Sequence, residues 1–198
     1  MQRSLPILIA LLLLLFSTVG WSADLEKGKE AYEKEDYETA LRELKPLAEK
    51  GHAQAQVMLG GMYRDGEGVP QNDKTAATWY TLAADQGDVD AQANLGFMYH
   101  EGKGVPKDSK TAVKWYRLAA ERGNADAQYN LGLMYKLGNG VPPSYVYAHM
   151  WHNIAASKGH KGAVKTRDLL AKAMTPAQIE KAQDLAVECV EKNFKGCD

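Results

Sequence analysis

The chain has 198 residues, and its 24 lysines and arginines against 25 aspartates and glutamates leave a formal net charge of −1. No segment concentrates the basic residues, which excludes the electrostatic footprint of a nucleic-acid-binding protein. Roughly 175 residues remain once an N-terminal leader is set aside, enough for one domain with a real core.

That leader is read from the first residues. Arg3 carries the only charge before an apolar run from Leu5 to Phe16, and Ser17, Thr18, Gly20, Ser22 and Ala23 follow as small or polar residues. A positive start, a short apolar block and a small-residue exit predict a signal peptide over residues 1–22, cleaved after Ser22 or Ala23. The run falls short of the ~20 apolar residues of a comfortable span; an uncleaved anchor is the alternative. No cysteine lies near the junction to take a lipid. The expected location is periplasmic or secreted, with no stable membrane insertion after cleavage.

From residue 52 onward the chain repeats itself every thirty-six residues. Ala55, Ala91, Ala127 and Ala163 keep this step, as do Leu59, Leu95 and Leu131, and Tyr63, Tyr99 and Tyr135. Trp79, Trp115 and Trp151 keep it too, and Gly-x-Gly-Val-Pro returns at 66–70, 102–106 and 138–142. An unbroken period of this length marks stacked units, predicted at 52–87, 88–123 and 124–159. Each unit reads as two helices. The first runs over about 91–100, with Asp88 or Asn124 as N-cap and Asp90 or Asp126 in the first turn. Gly102 or Gly138 stops it. The second is expected to be capped near Asp73 or Ser109, and carries Ala112, Trp115, Tyr116, Ala119 and Ala120 on an apolar face. Gly60, Gly96 and Gly132 sit inside first helices at a cost of ~1 kcal/mol relative to alanine. Their recurrence predicts a partner helix too close for a β-carbon, with Ala76 and Ala112 as the other side of the contact.

Distinct ends flank the three units. Gly28-x-x-Ala31-Tyr32 and Tyr37-x-x-Ala40 mark a shorter hairpin over 24–51 without the Gly-Val-Pro loop. A cap is predicted over 160–198: one helix from about 160 to 173, then a capping box, Thr175-Pro176-Ala177-Gln178, opening a second. Ile179, Ala182, Ala186, Cys189, Val190 and Phe194 form its stripe. Cys189 and Cys197 are the only cysteines, and an even pair in an exported chain suggests a disulfide, with Gly196 turning the chain back. An intermolecular bond or two free thiols are the alternatives.

The pattern Ala-x-x-x-Leu-Gly-x-Met-Tyr, Gly-x-Gly-Val-Pro, Ala-x-x-Trp-Tyr-x-x-Ala-Ala-x-x-Gly resembles the Sel-one-like repeat (SLR), a relative of the tetratricopeptide repeat. The third unit departs from it at Pro143 and at His152, which stands where Tyr80 and Tyr116 stand in the other two. The 24–51 hairpin is similar to a tetratricopeptide unit. The resemblance implies an all-α protein, an α/α solenoid wound as a right-handed superhelix, in which Leu59, Gly60, Tyr63, Trp79, Leu95, Gly96, Tyr99, Trp115, Leu131, Gly132, Tyr135 and Trp151 are structural signature.

Motifs of catalysis are not found. The Gly-x-Gly-Val-Pro runs lack the strand, spacing and Gly-Lys-Ser/Thr ending of phosphate loops. His149 and His152 share a helix side, with His160 beyond, but no further ligand completes a metal motif. Cysteine-rich SLR proteins described as β-lactamase-like carry a disulfide in each repeat, whereas residues 24–188 here contain no cysteine and no Ser-x-x-Lys motif. The expectation is a non-enzyme without cofactor or metal, with a weak β-lactamase-like hydrolase as the enzyme alternative. By analogy with tetratricopeptide repeats, first helices line a concave face that takes ligands. This selects Val57, Ala93 and Tyr129 at one level, and Gly61, Phe97 and Leu133 at the next. Gln54, Asp90 and Asp126 form one border, and Arg64, His100 and Lys136 the other. The strip reads as mostly apolar, with Tyr129 its exposed member; packing of Phe97 and Leu133 between repeats is the competing reading. The expected molecule is a monomeric scaffold or adaptor for an unknown protein or peptide in the envelope, or a secreted effector that binds host proteins.

Overall fold

A computed structural model describes residues 23–198; the signal peptide expected over 1–22 lies outside the described residues. The described chain is helical throughout its regular structure, and it is built as hairpins. Helices α1 (Leu25–Glu33) and α2 (Tyr37–Glu49) form the N-terminal pair. The repeat pairs are α3 (Ala53–Asp65) with α4 (Asp73–Asp85), α5 (Val89–Glu101) with α6 (Ser109–Ala120), and α7 (Ala125–Leu137) with α8 (Tyr145–Ser157). Helices α9 (Lys161–Ala171) and α10 (Pro176–Glu191) follow. Each second helix packs on its own first helix and on the next one, so the units stack into an all-α solenoid.

Local chemistry sets each boundary. Asp88 and Asn124 accept the Ala91 and Ala127 amides and start α5 and α7. The second helices begin one residue before the caps expected at Asp73 and Ser109. Asn72 accepts from Thr75, and Asp108 accepts from Lys110 and Thr111, because these residues hold the extended backbone a cap needs while Asp73 and Ser109 are already helical. Gly66, Gly102 and Gly138 end the first helices at φ of 77°, 76° and 70°, where a side chain would be strained.

The mid-helix glycines are close-approach sites, but the opposing group is not alanine. A β-carbon on Gly60 would lie 2.9 Å from the Tyr80 ring, one on Gly96 2.7 Å from Tyr116, and one on Gly132 2.8 Å from His152. Ala76 and Ala112 are buried nearby without making this contact. Rings of the second helix lie flat on bare first-helix backbone, a packing that excludes even a methyl.

Trp79 packs against the cluster of Leu44, Leu59 and Met62, and Trp115 against that of Tyr80, Leu95 and Met98, so each half-buried indole bridges to the unit before it. Trp151 is 1% exposed because the third unit is roofed over. Helix α10 does not pair with α9 as a fourth hairpin; it packs on α8. Under it Met150 and Ile154 are buried, whereas Leu82 and Leu118, which hold the place of Ile154 in the first two units, are each 44% exposed. Ala182, Ala186 and Cys189 form the buried stripe of α10, while Val190, expected in it, is 48% exposed. The helix ends before Phe194, which takes φ of 64°. A disulfide joins Cys189 to Cys197, with Cα atoms 5.1 Å apart.

Candidate functional site

The first helices present one face at successive places i and i+4. Gln54 and Met58 hold these places in α3, Asp90 and Asn94 in α5, Asp126 and Asn130 in α7. Two hollows open on this face. One of about 580 Å³ lies along the ends and flanks of α3, α5 and α7 and is lined by Arg64, Asp65, Asp73, Asp90, Ala93, Asn94, Phe97, Lys103, Asn124, Asp126 and Asn130, with Gln71 at the loop. The other, about 630 Å³, lies between α1 and α3 and is lined by Glu26, Lys29, Glu30, Tyr32, Glu33, Gln54 and Met58.

Of the residues selected from sequence, the hollow over α3, α5 and α7 gathers Arg64, Asp90, Ala93, Phe97 and Asp126. It does not include Val57, His100, Leu133 or Lys136. Val57 packs against the cluster that α4 and α5 form between the first and second units, so its methyls serve the stack. His100 lies beside Glu101, Nε2 to carboxylate 3.5 Å. Tyr129 is not a free ring: it stacks on His160 at 4.4 Å between centroids and tilts against His152 at 5.2 Å. Phe97 is the exposed aromatic of this face, at 36%, with the Lys103 ammonium 5.2 Å from its centroid.

The lining is also more polar than a mostly apolar strip. Asn94 and Asn130 stand in the sequence as a pair thirty-six residues apart, but asparagine at a non-signature place carries no fold information that would single it out. Arg64 is forked onto Asp65 at 2.6 and 2.8 Å and donates a further bond to the Asn94 carbonyl oxygen. Asp90 accepts from the Asn124 amide at 3.1 Å. Asp126 lies 3.2 Å from His160 Nε2, while His160 Nδ1 accepts the Ala163 amide and caps α9. These bonds order the polar part of the lining, to which Phe97 and Ala93 add the apolar part.

The histidines do not converge as ligands. His149 and His152 are buried, and both ring nitrogens of His152 lack a hydrogen-bond partner. Burial, assisted by the Lys136 charge, pushes the His152 pKa down to about 3. Its neutral ring serves as the flat slab against Gly132. Among the described residues no three His, Cys, Asp or Glu side chains gather as a metal set. Ser157 donates to the Ile154 carbonyl and Lys158 to the Gly123 carbonyl, so these neighbours do not form a nucleophile and its base. No helix among the described residues is long and apolar enough to cross a membrane.

Comparison with known proteins adds the following. The Sel1 repeat matches residues 53–88, 89–124 and 125–160. This frame starts one residue later than the units drawn from sequence, a choice of phase within the period. A Sel1 repeat protein from Oxalobacter formigenes is 30% identical, with a TM-score of 0.71 over 86% of this chain and 78% of that one. A protective antigen of uropathogenic Escherichia coli strains, displaying an SLR fold, is 41% identical with a TM-score of 0.68. That match covers 70% of this chain but spans only 31% of the antigen's length. A search of curated proteins gives no match.

Proposed function

This chain belongs to the Sel1 repeat family, whose members generally mediate protein–protein interaction, and we propose that it is an exported scaffold gripping a protein or peptide partner on the first-helix face. The observation that carries this reading is the hollow over α3, α5 and α7, in which an exposed Phe97 stands among polar lining groups. An aromatic anchor inside a hydrogen-bonding rim is the arrangement of a binding hot spot. The charged head and apolar block of residues 1–22 support export to the periplasm, and so does a disulfide at Cys189–Cys197, which is stable in an oxidising compartment. The protective antigen among its relatives favours a second reading, release into the medium to meet host proteins.

A photocrosslinking residue placed at 97, with Val190, which borders a separate hollow between α8 and α10, as control, tests the face in living cells. An adduct from position 97 and none from 190 is expected; adducts from 190 alone would move the site elsewhere. Phe97→Ala should weaken partner capture by about 2 kcal/mol, roughly thirtyfold, while leaving the stack folded. Separating periplasm from medium decides between adaptor and effector.

A further inference from the structure

We propose that the segment taken by this groove is extended and basic, with a lysine or arginine at about every third residue; this names the partner chemistry of the face described above and rests on that reading. Charge is the first ground. Acidic and basic residues nearly balance over the whole chain, 25 against 24, yet the carboxylates lining the two hollows outnumber the cations by more than two to one. Lys29 is paired with Glu26 at 2.9 Å and Arg64 with Asp65, each cation offsetting one carboxylate, Glu30 is paired with Lys34, and Lys103 lies over the Phe97 ring. Asp73, Asp90 and Asp126 remain as the acidic groups of the hollow over α3, α5 and α7. Asp126 keeps 80% of its side chain exposed, and the Asp90 carboxylate accepts from a neutral amide, that of Asn124. The face therefore presents negative potential to whatever enters, which attracts a cationic segment and repels nucleic acid and acidic peptides.

Spacing is the second ground. Asp90 and Asp126 hold the same place on neighbouring first helices, and packed helices lie about 8–10 Å apart. An extended or polyproline-like chain advances about 3.1–3.3 Å per residue, so three residues carry it from one carboxylate to the next. A polyproline-like segment also returns to the same side every third residue. Asn130, one helical turn on from Asp126, offers its amide to the backbone between the cations, whereas the Asn94 amide is already engaged with Arg64 and the Asp90 backbone carbonyl. Phe97, about one further helical turn beyond Asn94, takes the apolar side of the segment.

The test titrates the full exported chain with a fluorescent peptide of five Lys-Ala-Pro units, read by anisotropy. The comparison peptides are an isomer with its lysines in one block and a counterpart with glutamate for lysine. The Lys-Ala-Pro peptide is expected to bind in a salt-sensitive way and at least several-fold more tightly than the blocked isomer. Asp90→Asn with Asp126→Asn should weaken it about tenfold, whereas Glu180→Gln with Asp184→Asn on α10 should leave it unchanged. Equal binding of the blocked isomer overturns the spacing, and equal binding of the glutamate peptide or full affinity in the Asp90/Asp126 variant overturns the basic partner. If the crosslinker at 97 still yields an adduct while the peptide fails, the groove stands and only its occupant is wrong. Loss of both removes the groove as well.

Discussion

The third unit shows how a single residue is accommodated by its neighbour. Where the first two units set Tyr80 and Tyr116 against a first-helix glycine, the third sets the smaller His152, and Tyr129 stands where they have Val57 and Ala93. The larger ring at 129 fills volume that the imidazole leaves, with centroids 5.2 Å apart. His152→Tyr alone should therefore overpack this site and cost about 1–3 kcal/mol. Adding Tyr129→Ala, which rebuilds the pair of the second unit, should recover most of it; additive losses in urea unfolding would refute the compensation. The same histidine fixes a pH response. Its folded pKa is about 3 against 6.5 for an ordinary histidine, so above pH 6.5 both states are neutral and the stability is fully present. As pH falls below 6.5 the unfolded chain takes a proton that the fold refuses, and stability drops by about 1.4 kcal/mol per unit until the folded pKa is reached. Unfolding midpoints compared between pH 7 and pH 5 should show this drop in the native chain and a smaller one in the double variant. The substitution at 152 was visible in the sequence, but its partner was not. A tyrosine on the outward side of a first helix reads as exposed until the ring across from it is known.

At the scale of elements, the Gly-x-Gly-Val-Pro loop is a joint between units as well as a connection within one. Its first glycine ends the helix. Its second presses on the preceding unit: a β-carbon on Gly68 would lie 2.6 Å from that of Tyr37, and those on Gly104 and Gly140 would collide with the Asp73 and Ser109 carbonyls. The second glycines also hold φ of 68–76°. Gly104→Ala thus meets both strain and backbone contact, and should cost about 3 kcal/mol or more by chemical denaturation; an unchanged midpoint would show that the loop does not dock. Buried glutamines make a second joint. Gln56, Gln92 and Gln128 donate to the carbonyls of Ala48, Ala84 and Ala120, satisfying the last turn of the preceding second helix. The step of thirty-six made hairpins, stops and caps legible, since each depends on residues close in sequence. The glutamines keep the same step and went unremarked, because a polar residue on a helix reads as solvated until its burial is seen. The path of α10 was written as well: Met150 and Ile154 stand where Thr78 and Leu82, or Lys114 and Leu118, stand in uncovered helices. An apolar outer face on α8 called for a roof, but nothing local says which helix supplies it.

The whole molecule is a line of neighbours, so the consequence of a change depends on how far along the stack it is felt. The C-terminal end offers the sharpest case. Beyond α10 the chain turns back through the disulfide, and the Asp198 carboxylate, 1% exposed, is forked by Arg117 with both bonds at 2.9 Å and meets the Tyr135 hydroxyl. Phe194 lies under the Lys158 ammonium at 4.3 Å, and the Gly196 amide reaches Glu121. This strap ties α10 to the second and third units across 81 residues of sequence. Cys197→Ser removes a short covalent loop worth about 2.5 kcal/mol by the chain-entropy model, and releases the strap from a pocket it holds only through those contacts. Because coupling runs between neighbours, the loss should be local. Hydrogen exchange is expected to quicken over 185–198 and, more weakly, in α8, while amides of α1 to α4 keep their protection. Arg117→Ala, with the disulfide intact, should quicken exchange at the strap alone, since α10 stays packed on α8 and the strap stays bonded to it at Cys189. If either variant instead loosened α1 and α2 to the same extent, the stack would be one cooperative body. The groove over α3 to α7 would then feel every change at its distant cap.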